Sequence, residues 1–391
     1  MSTTIFRNQR IDLLRGIGVL LVMIHHFHIA YHLDQSAFSH ILSSNYISQF
    51  INNGYYGVTM LFVASGFLIT SKSIERYGTL GKVDAVGFYL LRFSRIMPSL
   101  LLVLSLIIIF NILQIPIFEN KQNKVSLTIA IFSVLTFWHN ILMVKAGWFN
   151  YCLNVLWSLS VTEIFYIAFP LICLFIKKDR WIILFLMMLI VIAPIYRSIY
   201  SNNEIIALCG NISCLDAIGV GCFSAIIANQ FQCNRWLSFF AQLAGALIIT
   251  AFYFNSKVID SMVFGVLLVA IGTALLLIFP SKEFVLNNNI VGKFTTGIRW
   301  FGKNCYEVYL FQIIVLALMK EILSPNSLND YTKLGWATVF FLSTAVVAHT
   351  VSKYYSQPIN KKLREVFFSA NRKSILLVSK RNVAALSQTQ P

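Results

Sequence analysis

The first apolar stretch of the chain, IDLLRGIGVLLVMIHHFHIAY at residues 11–31, decides the fold class. It is long enough to cross the hydrocarbon of a bilayer as one helix, which takes about 20 residues. Arg15 and His26 lie in it eleven residues apart, so on a helix they share one face, about 16 Å apart along the axis. Ionisable groups inside a span usually face a protein or water-lined interior where they have a function. The pair therefore predicts a site that reaches across the membrane.

The composition extends this prediction to the whole chain. Of its 391 residues, 57% are hydrophobic and 12% are charged, whereas a soluble domain carries roughly 25% charged residues. These values indicate a polytopic membrane protein. The net charge of +16 does not indicate a nucleic-acid partner, because Lys and Arg also accumulate in the cytoplasmic loops of membrane proteins.

Hydropathy predicts an all-α, polytopic transmembrane helical bundle of about ten spans. The apolar segments lie at 11–31, 55–73, 93–115, 155–176, 181–198, 208–230, 236–254, 258–279, 304–321 and 333–352. A further stretch, 126–143, is ambiguous. If it does not cross, most of the 31 basic residues fall on one side, which the positive-inside rule assigns to the cytoplasm. This favours two cytoplasmic termini and a re-entrant or interfacial helix at 126–143.

Two regions follow from this topology. Residues 1–360 form the predicted transmembrane domain, and residues 361–391 form a basic cytoplasmic tail that we expect to lie on the anionic inner leaflet. The inside segment 280–303 is too short to fold alone and is expected to be a loop. No repeat of 20–50 residues, no P-loop and no GxSxG motif is present, so neither ATP hydrolysis nor a soluble-type hydrolase is indicated.

No metal site is expected. The seven cysteines include no CxxC pair and mostly lie in apolar runs, which favours small buried side chains over ligands or disulfides. His28 and His32 have the spacing of a helical metal pair. However, the sequence offers them no evident third ligand.

His26 and Arg15 each have a chemical and a structural interpretation. An imidazole titrates near neutral pH and accepts a proton from a hydroxyl group, so His26 is a candidate general base. Its structural alternative is a hydrogen bond between helices. Arg15 presents a fork of donors suited to phosphate or carboxylate, and its alternative is a snorkelling anchor at the membrane boundary.

Further candidates lie in three later spans. Arg92 and Arg95 share a helix face where the third predicted span begins, which suits either the phosphates of a soluble cofactor or plain positive-inside anchoring. Glu163, expected near the outer end of the fourth span, is predicted to pair with a histidine or an arginine, or to orient a base. Asp216 is another acid inside a span, and Ser65-Gly66 favours close packing of helices.

Five motifs occur in the order found in the type 3 membrane acyltransferases, which the chain resembles over most of its length. They are IDLLRGIGVLLVMIHH (11–26), MLFVASGFLI (60–69), RFSRIMP (92–98), WSLSVTEIFY (157–166) and GKNCYEVYLFQ (302–312). Each motif alone is a weak signal. The family's arginine and histidine fall on Arg15 and His26.

The resemblance implies an integral-membrane O-acyltransferase of the bacterial cytoplasmic (inner) membrane. It would move an acyl group, most often acetyl, from cytoplasmic acyl-CoA to a hydroxyl of a cell-envelope polysaccharide or glycolipid such as lipopolysaccharide O-antigen. The resemblance therefore implies membrane lipid, the acceptor glycan and acyl-CoA as partners. Arg15, Arg92 and Arg95 would bind the donor, with His26, Arg15 and Glu163 as the catalytic residues.

Two positions depart from the family pattern. Thr162 replaces the first glutamate after WSLSV, so that only Glu163 remains, and Gln312 replaces a late histidine. Gln312 can form hydrogen bonds but cannot act as a base. Two alternatives are a ten-span transporter of a small anion or a lipid-linked sugar and a non-catalytic scaffold. Inverted repeats, which favour a transporter, are not evident.

Overall fold

A computed structural model describes residues 9–36, 44–120, 125–231, 234–278 and 290–367. Within these ranges all regular elements are helices and no strand occurs. This confirms the all-α class. In chain order the helices are α1 Gln9–Tyr31, α2 Ser44–Asn52, α3 Gly54–Tyr77, α4 Ala85–Ile112, α5 Leu127–Leu135, α6 His139–Ala146, α7 Trp157–Ile176, α8 Asp179–Ile199, α9 Glu204–Cys209, α10 Leu215–Gln230, α11 Arg235–Asn255, α12 Val258–Ser261, α13 Gly265–Ile278, α14 Ile290–Lys303, α15 Cys305–Ile322 and α16 Asp330–Val351.

Each predicted span overlaps a helix of the described structure, although 208–230 begins in α9 and continues into α10, and 258–279 is divided between α12 and α13. Eight helices of the described ranges are long and apolar enough to cross a membrane. The remaining two predicted spans fall on α13, which has only 14 residues, and on α15, which carries Glu307, Lys320 and Glu321. The helical course of α16 continues through a π-helical turn, Ser352–Ser356, to Phe367.

The ambiguous stretch 126–143 forms two short helices rather than one span. α5 and α6 have nine and eight residues, and at 1.5 Å per residue neither crosses a bilayer. Phe137 has a left-handed φ of 61° at the break between them. Across the break, the Ser133 hydroxyl lies 2.8 Å from Nδ1 of the buried His139. These features fit the predicted re-entrant or interfacial segment.

The inner helices are distinguished from the outer ones by burial. In α3 and α10, 67% of the most apolar window is buried, against 22% in α11 and 17% in α16. α3 and α10 approach closely at glycines, as the Ser65-Gly66 pair predicts. A Cβ at Gly66 would lie 2.2 Å from the Ile218 carbonyl oxygen, and one at Gly221 would lie 2.1 Å from the Val63 carbonyl oxygen. The backbones of the two helices are therefore in contact.

The segment 280–303 is not simply a loop. Its second half folds into α14, which packs against the start of α1. A Cβ at Gly302 would lie 1.7 Å from the Asp12 carbonyl oxygen, and one at Gly16 would lie 2.0 Å from the Ile298 carbonyl oxygen. This contact holds the arginine-bearing end of α1 against the end of α14, directly before α15 begins. Of the predicted tail, residues 361–367 continue the last helix, and 368–391 lie outside the described residues.

Candidate active site

Arg15 and His26 both face α15. The Arg15 guanidinium lies against the Cys305 thiol in the first turn of α15, and the His26 ring lies beside the Gln312 amide two turns further along. The two helices therefore run side by side in the same direction, from the arginine to the histidine. This arrangement agrees with the shared face predicted from the eleven-residue spacing.

The His26 side chain lies against α15 and is only partly buried. Its Nδ1 atom is buried and has no hydrogen-bond partner in the described structure. The preceding His25 is engaged differently, because its Nδ1 lies 2.9 Å from the Ile51 carbonyl oxygen. The two adjacent histidines therefore differ. His25 connects α1 to the end of α2 through its contact with Ile51, whereas Nδ1 of His26 has no hydrogen-bond partner in the described structure.

Three arginines gather at the other end of this face. Arg95 interacts electrostatically with Arg15 and Arg92, and all three side chains are only partly accessible. The Arg92 guanidinium lies 4.3 Å from the centre of the Tyr166 ring, which favours a fixed orientation through a cation–π contact. Like charges held this close repel one another unless an anion lies between them.

The surroundings of this arginine cluster remain positively charged. Arg364 of the last helix lies near Arg92 and the exposed Arg76. Glu163 and Glu307 supply two buried carboxylates. The Glu307 carboxylate accepts a 2.8 Å hydrogen bond from Ser356, which lies in the π-helical turn. Two carboxylates among five arginines leave an excess of positive charge, which is suited to a polyanion such as a nucleotide diphosphate.

Arg92 and Arg95 lie deeper than the sequence analysis predicts. They were expected to open the third span at residue 93, but α4 begins at Ala85. The cause is the cap at Asp84, whose side chain accepts hydrogen bonds of 3.1 Å from the backbone nitrogens of Val86 and Gly87. The arginines therefore lie in the second and third turns of α4, inside the bundle.

Glu163 lies with the arginines. It interacts electrostatically with Arg92 and Arg95, whereas no described contact joins it to His26. Of the partners that the sequence leaves open, a histidine or an arginine, the structure therefore favours the arginines. The neighbouring Thr162 directs its hydroxyl to its own helix, donating to the carbonyl oxygens of Ser158 at 3.2 Å and Leu159 at 2.9 Å.

A second buried charge pair was not predicted. Arg197 of α8 is fully buried and forms an ion pair with the equally buried Asp216. Its guanidinium also donates to the carbonyl oxygens of Ser213 and Val263. Arg197 was not among the candidate residues of the sequence analysis. The signal that could have found it was the acid Asp216 in an apolar span, which requires a cationic partner.

No metal centre is evident in the described ranges, where no group of three or more His, Cys, Asp or Glu side chains is positioned to hold an ion. His28 lies 3.6 Å from Asp34. Six cysteines in these ranges are buried and unpaired, and Cys233 lies outside them.

Comparison with known proteins identifies the family. The model of an acyltransferase domain matches residues 8–353, nearly the whole described bundle. The chain belongs to this acyltransferase family. The resemblance found in the five motifs is thereby confirmed. The matched range includes Arg15, His26 and the two arginines of α4 described above. No solved structure matches the chain.

Two relatives give a measure of the similarity. O-acetyltransferase OatA of Staphylococcus aureus strain MRSA252 is 25% identical over 355 residues, which are 84% of this chain and 56% of the relative. Peptidoglycan O-acetyltransferase OatA of Listeria monocytogenes is 23% identical over 373 residues, 90% of this chain and 55% of the relative. The acyltransferase chain thus spans about half the length of these curated relatives.

Proposed function

We propose that this protein is an integral-membrane O-acetyltransferase that moves an acetyl group from cytoplasmic acyl-CoA to a hydroxyl of a cell-envelope polysaccharide. One observation carries the proposal. α1 and α15 run side by side from a cluster of arginines to a histidine with an uncommitted ring nitrogen. A donor with a polyanionic head and a reactive thioester at the end of a long flexible arm fits such an arrangement.

The arginine cluster would hold the donor's phosphates. Arg95 interacts electrostatically with both Arg15 and Arg92, so bound phosphate would relieve this repulsion and accept charge-assisted hydrogen bonds from the guanidinium groups. Eleven residues of helix separate Arg15 from His26, about 16 Å. That distance is on the scale of an extended pantetheine arm, which would bring the thioester carbonyl to the histidine.

His26 would act as the general base. It takes the proton of the acceptor hydroxyl while the hydroxyl oxygen attacks the thioester carbonyl carbon. The tetrahedral intermediate collapses as the carbon–sulfur bond breaks, and the CoA thiolate receives the proton from His26. Glu163 is predicted to be catalytic. Its position beside Arg92 and Arg95 supports a positioning role in which its carboxylate orients the guanidinium groups.

The names of the relatives and the resemblance of the motifs each suggest an acceptor. The relatives' names contain O-acetyltransferase, and one names peptidoglycan, which makes peptidoglycan the first acceptor to test. Lipopolysaccharide O-antigen, expected from the resemblance, is the second. Membership of an acyltransferase family favours acyl transfer over the alternatives of a transporter of small anions or lipid-linked sugars and a non-catalytic scaffold.

Mass spectrometry of envelope glycans tests this proposal. Cells would express the wild type, His26→Ala, or neither, and His349→Ala would serve as the matched control because His349 is exposed. We expect acetylated peptidoglycan or O-antigen fragments with the wild type and the control only. No gain of acetyl in any glycan fraction, with the protein present in the membrane, would contradict O-acetyl transfer. A gain that survives His26→Ala would exclude His26 as the base.

A further inference from the structure

Gln312 is a buried amide that the fold leaves unsatisfied. Its side chain is fully buried, and neither Nε2 nor Oε1 has a hydrogen-bond partner in the described structure. Its neighbours along α15 are apolar, with Phe311, Ile313 and Leu316 all buried. A buried polar group without a partner is unfavourable for folding, so such a group calls for an explanation such as a missing ligand.

The unsatisfied amide lies where the proposed chemistry would occur. The Gln312 amide lies within hydrogen-bonding reach of the His26 ring, whose Nδ1 is also buried and without a partner in the described structure. Two incompletely satisfied polar groups therefore lie side by side here. A reacting acyl group placed there would meet a base and an amide donor together.

Two tyrosine hydroxyls of the same helix are already engaged. The Tyr309 hydroxyl, one turn earlier on α15, contacts the Ser158 hydroxyl at 2.6 Å and the Val155 carbonyl oxygen at 2.8 Å. The Tyr306 hydroxyl donates to the Ile96 carbonyl oxygen at 2.9 Å. The Gln312 amide differs from these two hydroxyls, because its polar neighbour is the His26 ring and its Nε2 forms no hydrogen bond with any other described group.

We infer that Gln312 is a catalytic residue whose Nε2 group donates a hydrogen bond to the thioester carbonyl oxygen. This inference rests on the proposed function. As the acceptor oxygen attacks and its proton passes to His26, the carbonyl oxygen becomes an oxyanion and the bond from Nε2 strengthens. It weakens again when the carbon–sulfur bond breaks and the thiolate leaves. A preorganised donor of this kind accelerates acyl transfer because it stabilises charge that develops only in the transition state.

Two other roles for the amide predict different behaviour. If Gln312 only oriented the His26 ring, it would be a positioning residue, and its loss would change the pH dependence of kcat/KM, which reports the free enzyme's base. If it bound the acceptor hydroxyl, its loss would mainly raise KM for the glycan. An oxyanion donor affects kcat and leaves both of these quantities nearly unchanged.

The test compares Gln312→Leu and Gln312→His with the wild type in lipid nanodiscs, using acetyl-CoA and peptidoglycan fragments. Leu316→Ala is the matched control, because it alters the same face of α15 without removing a polar group. For Gln312→Leu we expect kcat to fall about 10²- to 10³-fold, with each KM within about threefold. Gln312→His keeps an N–H donor and should lose at most about tenfold in kcat.

Thermal unfolding gives an independent readout. Gln312→Leu removes an unsatisfied amide, so its midpoint should equal or exceed that of the wild type, the pattern of a residue kept for function. Leu316→Ala should lower the midpoint and leave kcat of the folded protein unchanged.

A Gln312→Leu variant with kcat within about threefold of the wild type, a rise in glycan KM alone, or a displaced pH profile would each overturn the inference. A lower midpoint for Gln312→Leu would also count against it, because it would indicate a structural role. A wild type that transfers no acetyl group would refute the proposed function itself, which separates the two failures.

Discussion

Removal of the arginine cluster should weaken donor binding without slowing the chemical step. The perturbation is Arg92→Met or Arg95→Met, which keeps the apolar stem and deletes the guanidinium. A hydrogen bond to a charged group contributes about 1.5–3 kcal/mol, and about 1.4 kcal/mol corresponds to tenfold in affinity. Both side chains are partly accessible, so the lower end applies, and we expect each variant to raise KM for acetyl-CoA roughly tenfold.

The assay is release of CoA thiol from purified protein in nanodiscs at several ionic strengths. kcat should change little, because His26 lies about 16 Å from Arg15. Arg180→Met is the matched control: Arg180 is exposed at the start of α8, near Trp181, and should leave KM unchanged. Equal KM values for wild type and cluster variants, or an equal rise with Arg180→Met, would refute the assignment of these arginines to the donor phosphates.

Three further substitutions test the surroundings of the site. Glu163→Gln should leave or lower KM for acetyl-CoA, because a competing carboxylate is lost, and a collapse of kcat with a displaced pH profile would instead support its predicted catalytic role. Asp216→Asn should destabilise the fold by about 3–5 kcal/mol in thermal unfolding, because it leaves the buried Arg197 guanidinium without a counter-charge. Arg197→Met combined with Asp216→Leu should recover most of that loss. Gly66→Val should lower the free energy of unfolding by about 3 kcal/mol or more, because the new side chain would strike the α10 backbone. Gly335→Ala, with no atom near its Cβ, should be neutral or slightly stabilising. Equal effects of the two substitutions would contradict the close-packing argument.

Local periodicity made much of the fold predictable from the sequence. A helix face depends only on spacing, so the relation between Arg15 and His26 could be predicted without knowing any neighbour. The beginning of α4 was less predictable, because hydropathy places a helix where the apolar run starts, whereas the Asp84 cap starts it eight residues before residue 93. α14 was missed for a similar reason: its contact with α1 depends on glycines that a hydropathy profile does not distinguish from loop glycines.

The pairings between distant residues required the folded structure. Asp216 in an apolar span indicated that some cation must lie nearby, but the chain offers many, and only tertiary contact selects Arg197. Gln312 appeared in the sequence as a lost histidine. Its interaction with His26 shows instead that the position still lies beside the proposed base.

The polar groups of the candidate site are less completely partnered than the buried Arg197–Asp216 pair. The fully buried Arg197 is matched through its terminal nitrogens by the carboxylate of the equally buried Asp216 and by two carbonyl oxygens, and the α3–α10 backbones touch at glycines. By contrast, His26 Nδ1 and both amide atoms of Gln312 form no hydrogen bond in the described structure, and at the other end of the site Arg95 lies close to Arg15 and Arg92. A fold selected for stability alone would replace such groups with apolar ones. Their arrangement along α1, α4 and α15 is explained if a substrate with an anionic head and a carbonyl at its far end completes them.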